Sequence, residues 1–134
     1  CSSDLFAPTP VVKPGGFLII PAPCQEGVGE GVGEQRFFKA MVESPNVESI
    51  LRDARQHGYP PGQQRAFVMA KVLEKTRVII VGSDYPDIVA DCKMTPAQTV
   101  EEALALASQE LGRELDVLIV PHALLTLPIV LDQD

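Results

Sequence analysis

The sequence predicts an α/β fold, in which a three-layer domain has a mostly parallel β-sheet covered by helices on both faces. Short continuous apolar runs occur at residues 17–20, 78–81 and 117–120, as is typical of strands buried on both faces. Amphipathic helical patterns lie between these runs. This alternation favours parallel pairing through right-handed crossovers. The 134 residues fit one domain, spanning 1–134.

The elements before the second strand follow from local start and stop signals. Pro21 and Pro23 end the first strand. Glycine at every second position from 27 to 33 then predicts a loop, because glycine costs the most backbone entropy in regular structure. Three helices are expected next, from about residue 34 to the Ser44-Pro45 stop, at 47–56 and at 63–75.

The elements after the second strand have clearer caps. A short helix is expected at 86–92. A longer one at 100–111 is capped by Thr99 and ended by Gly112. The run at 117–120 predicts a third buried strand, and a final short strand at 129–131 is possible.

Composition excludes several classes of function. A net charge of −7 without a basic stripe argues against nucleic-acid binding. No apolar run approaches the ~20 residues that cross a bilayer, and no secretory leader is visible. Three widely spaced cysteines form no metal framework, which favours a reducing cytoplasm. The first residue is Cys1 rather than Met, so we expect a fragment of a longer protein.

The loop after the first strand is the first candidate site. Gly27, Gly29, Gly31 and Gly33 match neither dinucleotide nor Walker spacing, and the surrounding glutamates would repel phosphate. Phosphate binding, a loop that closes over a neighbouring lobe, and a plain connection all remain open. Cys24 at the start of this loop lacks a nearby base, so a small buried thiol is expected rather than a nucleophile.

A second candidate lies at the start of the third helix. Gln63, Gln64 and Arg65 follow Pro-Pro-Gly, and a helix N-terminus with an adjacent arginine can hold a carboxylate. A solvated first turn explains the same residues. His57 and His122 stand far apart without a carboxylate cluster, which favours structural roles. We therefore predict no catalytic constellation and no metal site within the chain.

Several ordered segments together resemble the C-terminal lobe of the nickel-dependent lactate racemases and their homologues. The resemblance covers nearly the whole chain. The matching pieces are Pro10-Val11-Val12-Lys13-Pro14-Gly15-Gly16, Cys24-Gln25-Glu26-Gly27-Val28-Gly29, Pro61-Gly62-Gln63-Gln64-Arg65-Ala66-Phe67, Val78-Ile79-Ile80-Val81-Gly82-Ser83, Met94-Thr95-Pro96-Ala97 with Glu101-Glu102-Ala103-Leu104, and Val117-Leu118-Ile119-Val120-Pro121 with Leu127-Pro128.

The resemblance implies a two-lobed isomerase, a racemase or epimerase of small 2-hydroxy acids. Its N-terminal lobe would hold a nickel pincer nucleotide, and the present chain would close over that site, holding no cofactor and being inactive alone. The cleft-facing residues would be Gln63, Gln64, Arg65, Cys24, Gly27 and Gly29. Lactate racemases carry a Tyr-Gln-x-x-Lys motif shortly before the Val-x-Pro-Gly-Gly segment, and the lysine of this motif falls at Ser3. The family's substrate-side tryptophan falls at Gln64. These two differences imply a homologue that acts on a larger or differently charged 2-hydroxy acid than lactate, or on an unknown substrate.

Two other classes of function remain open. One is a stand-alone α/β module that binds a small molecule or nucleotide, which a ligand-dependent thermal shift would reveal. The other is a structural or oligomerising domain, which would form a dimer without responding to ligands.

Overall fold

The computed structural model describes residues 12–122. Within that range it contains three strands and five helices. In chain order they are β1 (Phe17–Pro21), α1 (Val32–Glu43), α2 (Val47–His57), α3 (Gln64–Lys75), β2 (Arg77–Val81), α4 (Pro86–Asp91), β3 (Thr95–Ala97) and α5 (Val100–Leu111). The possible strand at 129–131 lies outside the described residues.

The sheet is parallel, with strand order β1-β2-β3. Phe17 pairs with Arg77 and Ile79 pairs with Thr95 in the two registers. β2 is the central strand, and four of its five residues are buried. The prediction of a parallel α/β sheet is confirmed.

Helices cover both faces of β2, because alternate side chains of a strand point in opposite directions. Val78 and Ile80 pack with Val72 and Val89, from α3 and α4. Ile79 and Val81 pack on the other face with Ala103 of α5. The predicted three-layer arrangement is therefore confirmed.

α1 and α2 pack against α3 through a further apolar cluster. Met41 and Ala70 are fully buried in it, and Leu51 is nearly so. α2 is well capped, since the Asn46 side chain accepts a hydrogen bond from Ser49 N at 2.8 Å. The position of α1 on α3 sets the geometry of the cleft described below.

Two expectations for the strands were wrong. Residues 117–120 form no strand, and they are exposed, Ile119 to 81%. An apolar run shows the preference for a strand but not whether a partner strand lies alongside. The third strand is instead β3, which is short and contains Pro96.

β1 also differs from its prediction, because its residues 17–20 are half-buried rather than covered on both faces. It has β2 on one side only among the described residues. None of the helices in the described part of the chain has both the length and the apolar character needed to cross a bilayer.

Candidate functional site

The candidate site lies at the edge of the sheet where β1 and β2 end. The loop after β1 and the loop after β2 are held together there, because Ala22 N donates to Val81 O at 2.9 Å and Asp84 N donates to Pro23 O at 2.8 Å. The carboxyl ends of parallel strands are where α/β domains commonly bind ligands.

The glycine loop forms successive tight turns whose amides bond within the loop. Gly27 N donates to Cys24 O at 3.0 Å, and Gly29 N donates to Glu26 O at 2.9 Å. Gly31 N donates to the Glu34 carboxylate at 2.9 Å. Amides that are already paired cannot also cradle a phosphate, so this geometry disfavours nucleotide binding at the loop.

Cys24 is exposed, so the expectation of a small buried thiol was wrong. Its backbone has a φ of 49°, a left-handed conformation that is uncommon for a residue with a side chain. This conformation directs the chain into the turn closed by Gly27. Gly27 packs against α4, where a methyl group added to it would lie 3.5–3.6 Å from Ile88 and Tyr85.

The start of α3 is held against the start of α1 by Arg36. Its Nη1 donates to Pro61 O at 2.7 Å. Gly62 allows the close approach, because its φ is 94° and an added methyl group would lie 3.4 Å from Arg36 Cδ and 3.5 Å from Gly33 Cα. Sequence reasoning did not identify Arg36, because its partner is a backbone carbonyl 25 residues away.

An open cleft of about 280 Å³ lies between these two helix starts. Its lining consists of Gly31, Gly33, Glu34, Gly62, Gln64 and Arg65. α1 follows the loop at the carboxyl end of β1. α3 ends just before the amino end of β2, so the start of α3 lies towards the carboxyl end of the sheet. Both helix N-termini therefore face the same cleft, with their partial positive charge.

Of the six residues predicted to face a cleft, Gln64 and Arg65 line this one. The Gln64 Oε1 accepts a hydrogen bond from Gly62 N at 2.7 Å, which fixes the turn before α3. Gln63 is the N-cap residue of α3. Cys24, Gly27 and Gly29 lie in the adjoining loop. Gly29 lies against the Glu34 side chain, since a methyl group added to Gly29 would be 2.2 Å from Glu34 Oε2.

The remaining titratable candidates lie away from this cleft. His57 is exposed at the end of α2, and His122 is exposed with a φ of 56°. Cys92 is buried in the core, and this burial raises its pKa to about 11, so its thiol stays protonated at neutral pH. Residues 12–122 contain no group of three or more His, Cys, Asp and Glu side chains that could hold a metal ion.

The fold and the cleft define an α/β domain with a small polar site at the carboxyl edge of a parallel sheet. A family model described as the lactate racemase C-terminal domain matches residues 3–127. The chain belongs to this family. The resemblance inferred from the ordered sequence segments is thereby confirmed.

Individual relatives agree with this assignment. The chain is 32% identical over 110 residues to a lactate racemase from Thermoanaerobacterium thermosaccharolyticum, covering 81% of the chain and 26% of that protein. The apoprotein structure of the lactate racemase from this organism aligns with a TM-score of 0.63 and 32% identity, covering 72% of the chain and 23% of that structure. A probable DNA ligase from Streptomyces griseus subsp. griseus is 30% identical over 92 residues, covering 63% of the chain and 18% of the ligase. The chain thus spans about a quarter of the lactate racemase.

Proposed function

We propose that the chain is the C-terminal lobe of a racemase or epimerase that acts on a small 2-hydroxy acid. Family membership and the quarter-length match to a lactate racemase support this role. The lobe would be inactive alone and would close over a reaction centre formed by an N-terminal lobe of the same protein. We place the protein in the cytoplasm, since its separated cysteines suit a reducing compartment.

The cleft between the starts of α1 and α3 carries the proposal. A 2-hydroxy acid presents a carboxylate, which helix N-termini and an arginine guanidinium both favour. Arg65 is exposed at this cleft, within the first turn of α3. Glu34 already neutralises the start of α1 by accepting from Gly31 N, so the start of α3 with Arg65 is the better place for the substrate carboxylate.

Gln64 is the residue that would distinguish this substrate from lactate. Its Oε1 is used by Gly62 N, which leaves the nitrogen of the same amide to donate a hydrogen bond towards the cleft. A tryptophan in this position would offer a broad apolar surface instead. We therefore propose a substrate that is more polar than lactate in the group opposite its carboxylate.

The nickel pincer nucleotide would be held by the N-terminal lobe. The described residues do not fit a nickel site, since they lack a cluster of three potential ligands. The contribution of this chain is to bind and orient the substrate carboxylate and to cover the cleft. Gln63, Cys24, Gly27 and Gly29 would take part through the shape of the two loops.

The test is to produce the full-length parent together with nickel-pincer biosynthesis and to follow loss of optical rotation in a panel of 2-hydroxy acids. Arg65→Gln should raise KM for the best substrate roughly 10- to 100-fold, as expected from losing a charge-assisted hydrogen bond of about 1.5–3 kcal/mol. Arg52→Gln, an exposed arginine on α2, is the matched control. If both variants keep the parent KM, the carboxylate does not bind at Arg65; if no acid is racemised, the proposed reaction is wrong.

A further inference from the structure

A second cavity lies at the amino edge of the sheet, opposite the cleft described above. It has a volume of about 290 Å³ and is formed where β2 and β3 begin. The volume is close to the lower end of the range, about 300–1,000 Å³, that small-molecule sites occupy. The lining found among residues 12–122 contains two cationic side chains and no acidic one. It consists of Val47, Leu73, Thr76, Arg77, Val78, Lys93 and Thr95.

The register of the sheet leaves a backbone donor without its usual acceptor at this cavity. β2 begins two residues before β3 in the register. Gly82 N donates to Ala97 O at 2.9 Å, so the even-numbered residues of β2 direct their backbone groups towards β3. The amide of Val78 is therefore directed towards Lys93, but no hydrogen bond joins Val78 N to Lys93 O. Because Val78 is buried and buried amides are rarely unpaired, this N–H favours a ligand that accepts a hydrogen bond.

Lys93 ends the pairing at this point and carries a positive charge beside the gap. Its φ is 66°, a left-handed conformation through which a strand cannot continue. Its half-buried side chain reaches α1, where Nζ donates to Met41 O. This bond uses one of the three donors of the ammonium group. None of the carboxylates in the described part of the chain forms an ion pair with Lys93, so its charge favours an anion.

Arg77 and Thr95 add donors to the same cavity. Arg77 Nη1 binds the Glu110 carboxylate, and its other two nitrogen atoms carry further N–H groups. Thr95 is exposed at the start of β3 and carries a hydroxyl group that can donate. The Thr76 hydroxyl already donates to a backbone carbonyl at 2.8 Å, so it can only accept. With Glu110 included, the charges of Arg77 and Lys93 leave one net positive charge, which matches a monoanion better than a phosphate dianion.

The inner wall of the cavity is apolar. Leu73 packs against the core cluster that contains Val78, and Val47 is half-buried at the start of α2. A carboxylate held by the donors at the rim would leave an attached alkyl chain against this wall. Each methylene group that is buried there should strengthen binding by up to about fourfold.

We propose that this cavity binds a small monocarboxylate with a short alkyl chain. Its carboxylate accepts hydrogen bonds from Lys93, Arg77 and the amide of Val78, and its alkyl chain packs against Val47 and Leu73. The site lies at the opposite edge of the sheet from Arg65, so it is separate from the proposed substrate cleft and does not depend on the proposed reaction.

NMR titration of the 134-residue chain at constant ionic strength tests the ligand class. Butyrate should shift the amides of Val78 and Thr95 saturably, with a Kd in the millimolar range that is at least about fivefold below that of acetate. Butylammonium has a similar alkyl chain with a cationic head group and should leave these amides unshifted. Inorganic phosphate should bind more weakly than butyrate. A lack of saturable shifts with butyrate, an equal response to butylammonium, or tighter binding of phosphate would overturn the proposal.

Two variants test the donors that hold the carboxylate. Lys93→Gln removes the charge but keeps an amide that can donate to Met41 O, and it should raise the Kd for butyrate about tenfold. Thr95→Val keeps the β-branched shape of an exposed residue and should raise this Kd about threefold. Lys39→Gln, at an exposed lysine on α1, is the matched control and should leave it unchanged.

The variants also separate this site from the cleft. Arg65→Gln should leave the butyrate-induced shifts of Val78 and Thr95 intact, even if it abolishes binding at the start of α3. An unchanged Kd for butyrate in folded Lys93→Gln would refute the proposal. If Lys93→Gln does not fold, an unchanged Kd in Thr95→Val would refute it instead.

Discussion

Two glycines of the loop beside the cleft should respond in opposite directions to the same substitution. Gly29 has a φ of +83°, and an added methyl group would lie 2.2 Å from Glu34 Oε2. Gly33 lies within the first turn of α1, and an added methyl group would meet nothing within 4 Å. Gly29→Ala should therefore destabilise the chain, and Gly33→Ala should stabilise it.

The size of each effect follows from the local geometry. Alanine in a left-handed conformation costs about 1–2 kcal/mol. The Glu34 side chain can move away from the methyl group, but it then loses its hydrogen bond to Gly31 N, which is worth about 0.5–1.5 kcal/mol. Gly33→Ala should gain up to about 0.8 kcal/mol from helix propensity, less at the second helical position than in a helix interior. The two variants should differ by roughly 2–3 kcal/mol, or about 10 °C in Tm.

Thermal and urea unfolding followed by circular dichroism would measure this difference. A Glu34→Ala background separates the two contributions, because it removes both the obstructing carboxylate and the hydrogen bond. In that background Gly29→Ala should cost about 1 kcal/mol less than in the parent, leaving only the conformational cost. Equal Tm values for Gly29→Ala and Gly33→Ala, or an unchanged cost in the Glu34→Ala background, would refute the described loop geometry.

Four further predictions concern the two thiols, a helix cap and the core. Peptide-resolved alkylation at neutral pH should label the exposed Cys24 at least tenfold faster than the buried Cys92; equal rates would contradict this. Burial raises the pKa of the Cys92 thiol from 9.0 to about 11, so the folded chain holds this proton more tightly than the unfolded chain does. The resulting stability is fully present below pH 9, and roughly 2–3 kcal/mol of the free energy of unfolding should be lost between pH 9 and 11. Cys92→Ala should flatten this alkaline decline in urea titrations, and an unchanged decline would assign it to other groups. Asn46→Ala should cost about 1 kcal/mol through loss of the hydrogen bond from Ser49 N, whereas Asn46→Asp should retain most of it. Met41→Ala should cost about 2–5 kcal/mol, since this side chain is fully buried where α1 packs on α3, and a cost below 1 kcal/mol would show that the contact is loose.

The helices and the two principal strands could be predicted because their signals are local. Thr99 caps α5 as expected, accepting from Glu102 N at 3.1 Å, and Gly112 ends that helix with a φ of 62°. The start of α1 was placed about two residues late, because Gly33 was assigned to the loop although it is helical. Glycine disfavours a helix but does not forbid its first turn, where tertiary contacts decide.

The outer strands could not be predicted in the same way. β3 has three residues and includes Pro96, which normally argues against a strand. Gly82 N donates to Ala97 O at 2.9 Å, so the backbone groups of Ala97 face β2. Those of the preceding residue, Pro96, face away from β2, so the missing N–H of the proline removes no hydrogen bond from the sheet. Residues 117–120 show the opposite case, in which strand preference is strong and no partner lies alongside in the described part of the chain.

The parts of the cleft could be predicted from local sequence signals, but their contact with each other could not. The sequence indicates a candidate site at the start of α3, where Gln64 and Arg65 follow a turn, and another at the glycine loop before α1. That both starts lie at one edge follows from topology, since α1 leaves β1 at its carboxyl end and α3 enters β2 at its amino end. That they touch depends on Arg36 reaching Pro61 O and on the absent side chain of Gly62, two facts that no spacing rule contains. The cleft therefore depends on a small long-range contact, so changes at Arg36 or Gly62 should alter its shape while leaving the Arg65 guanidinium in place.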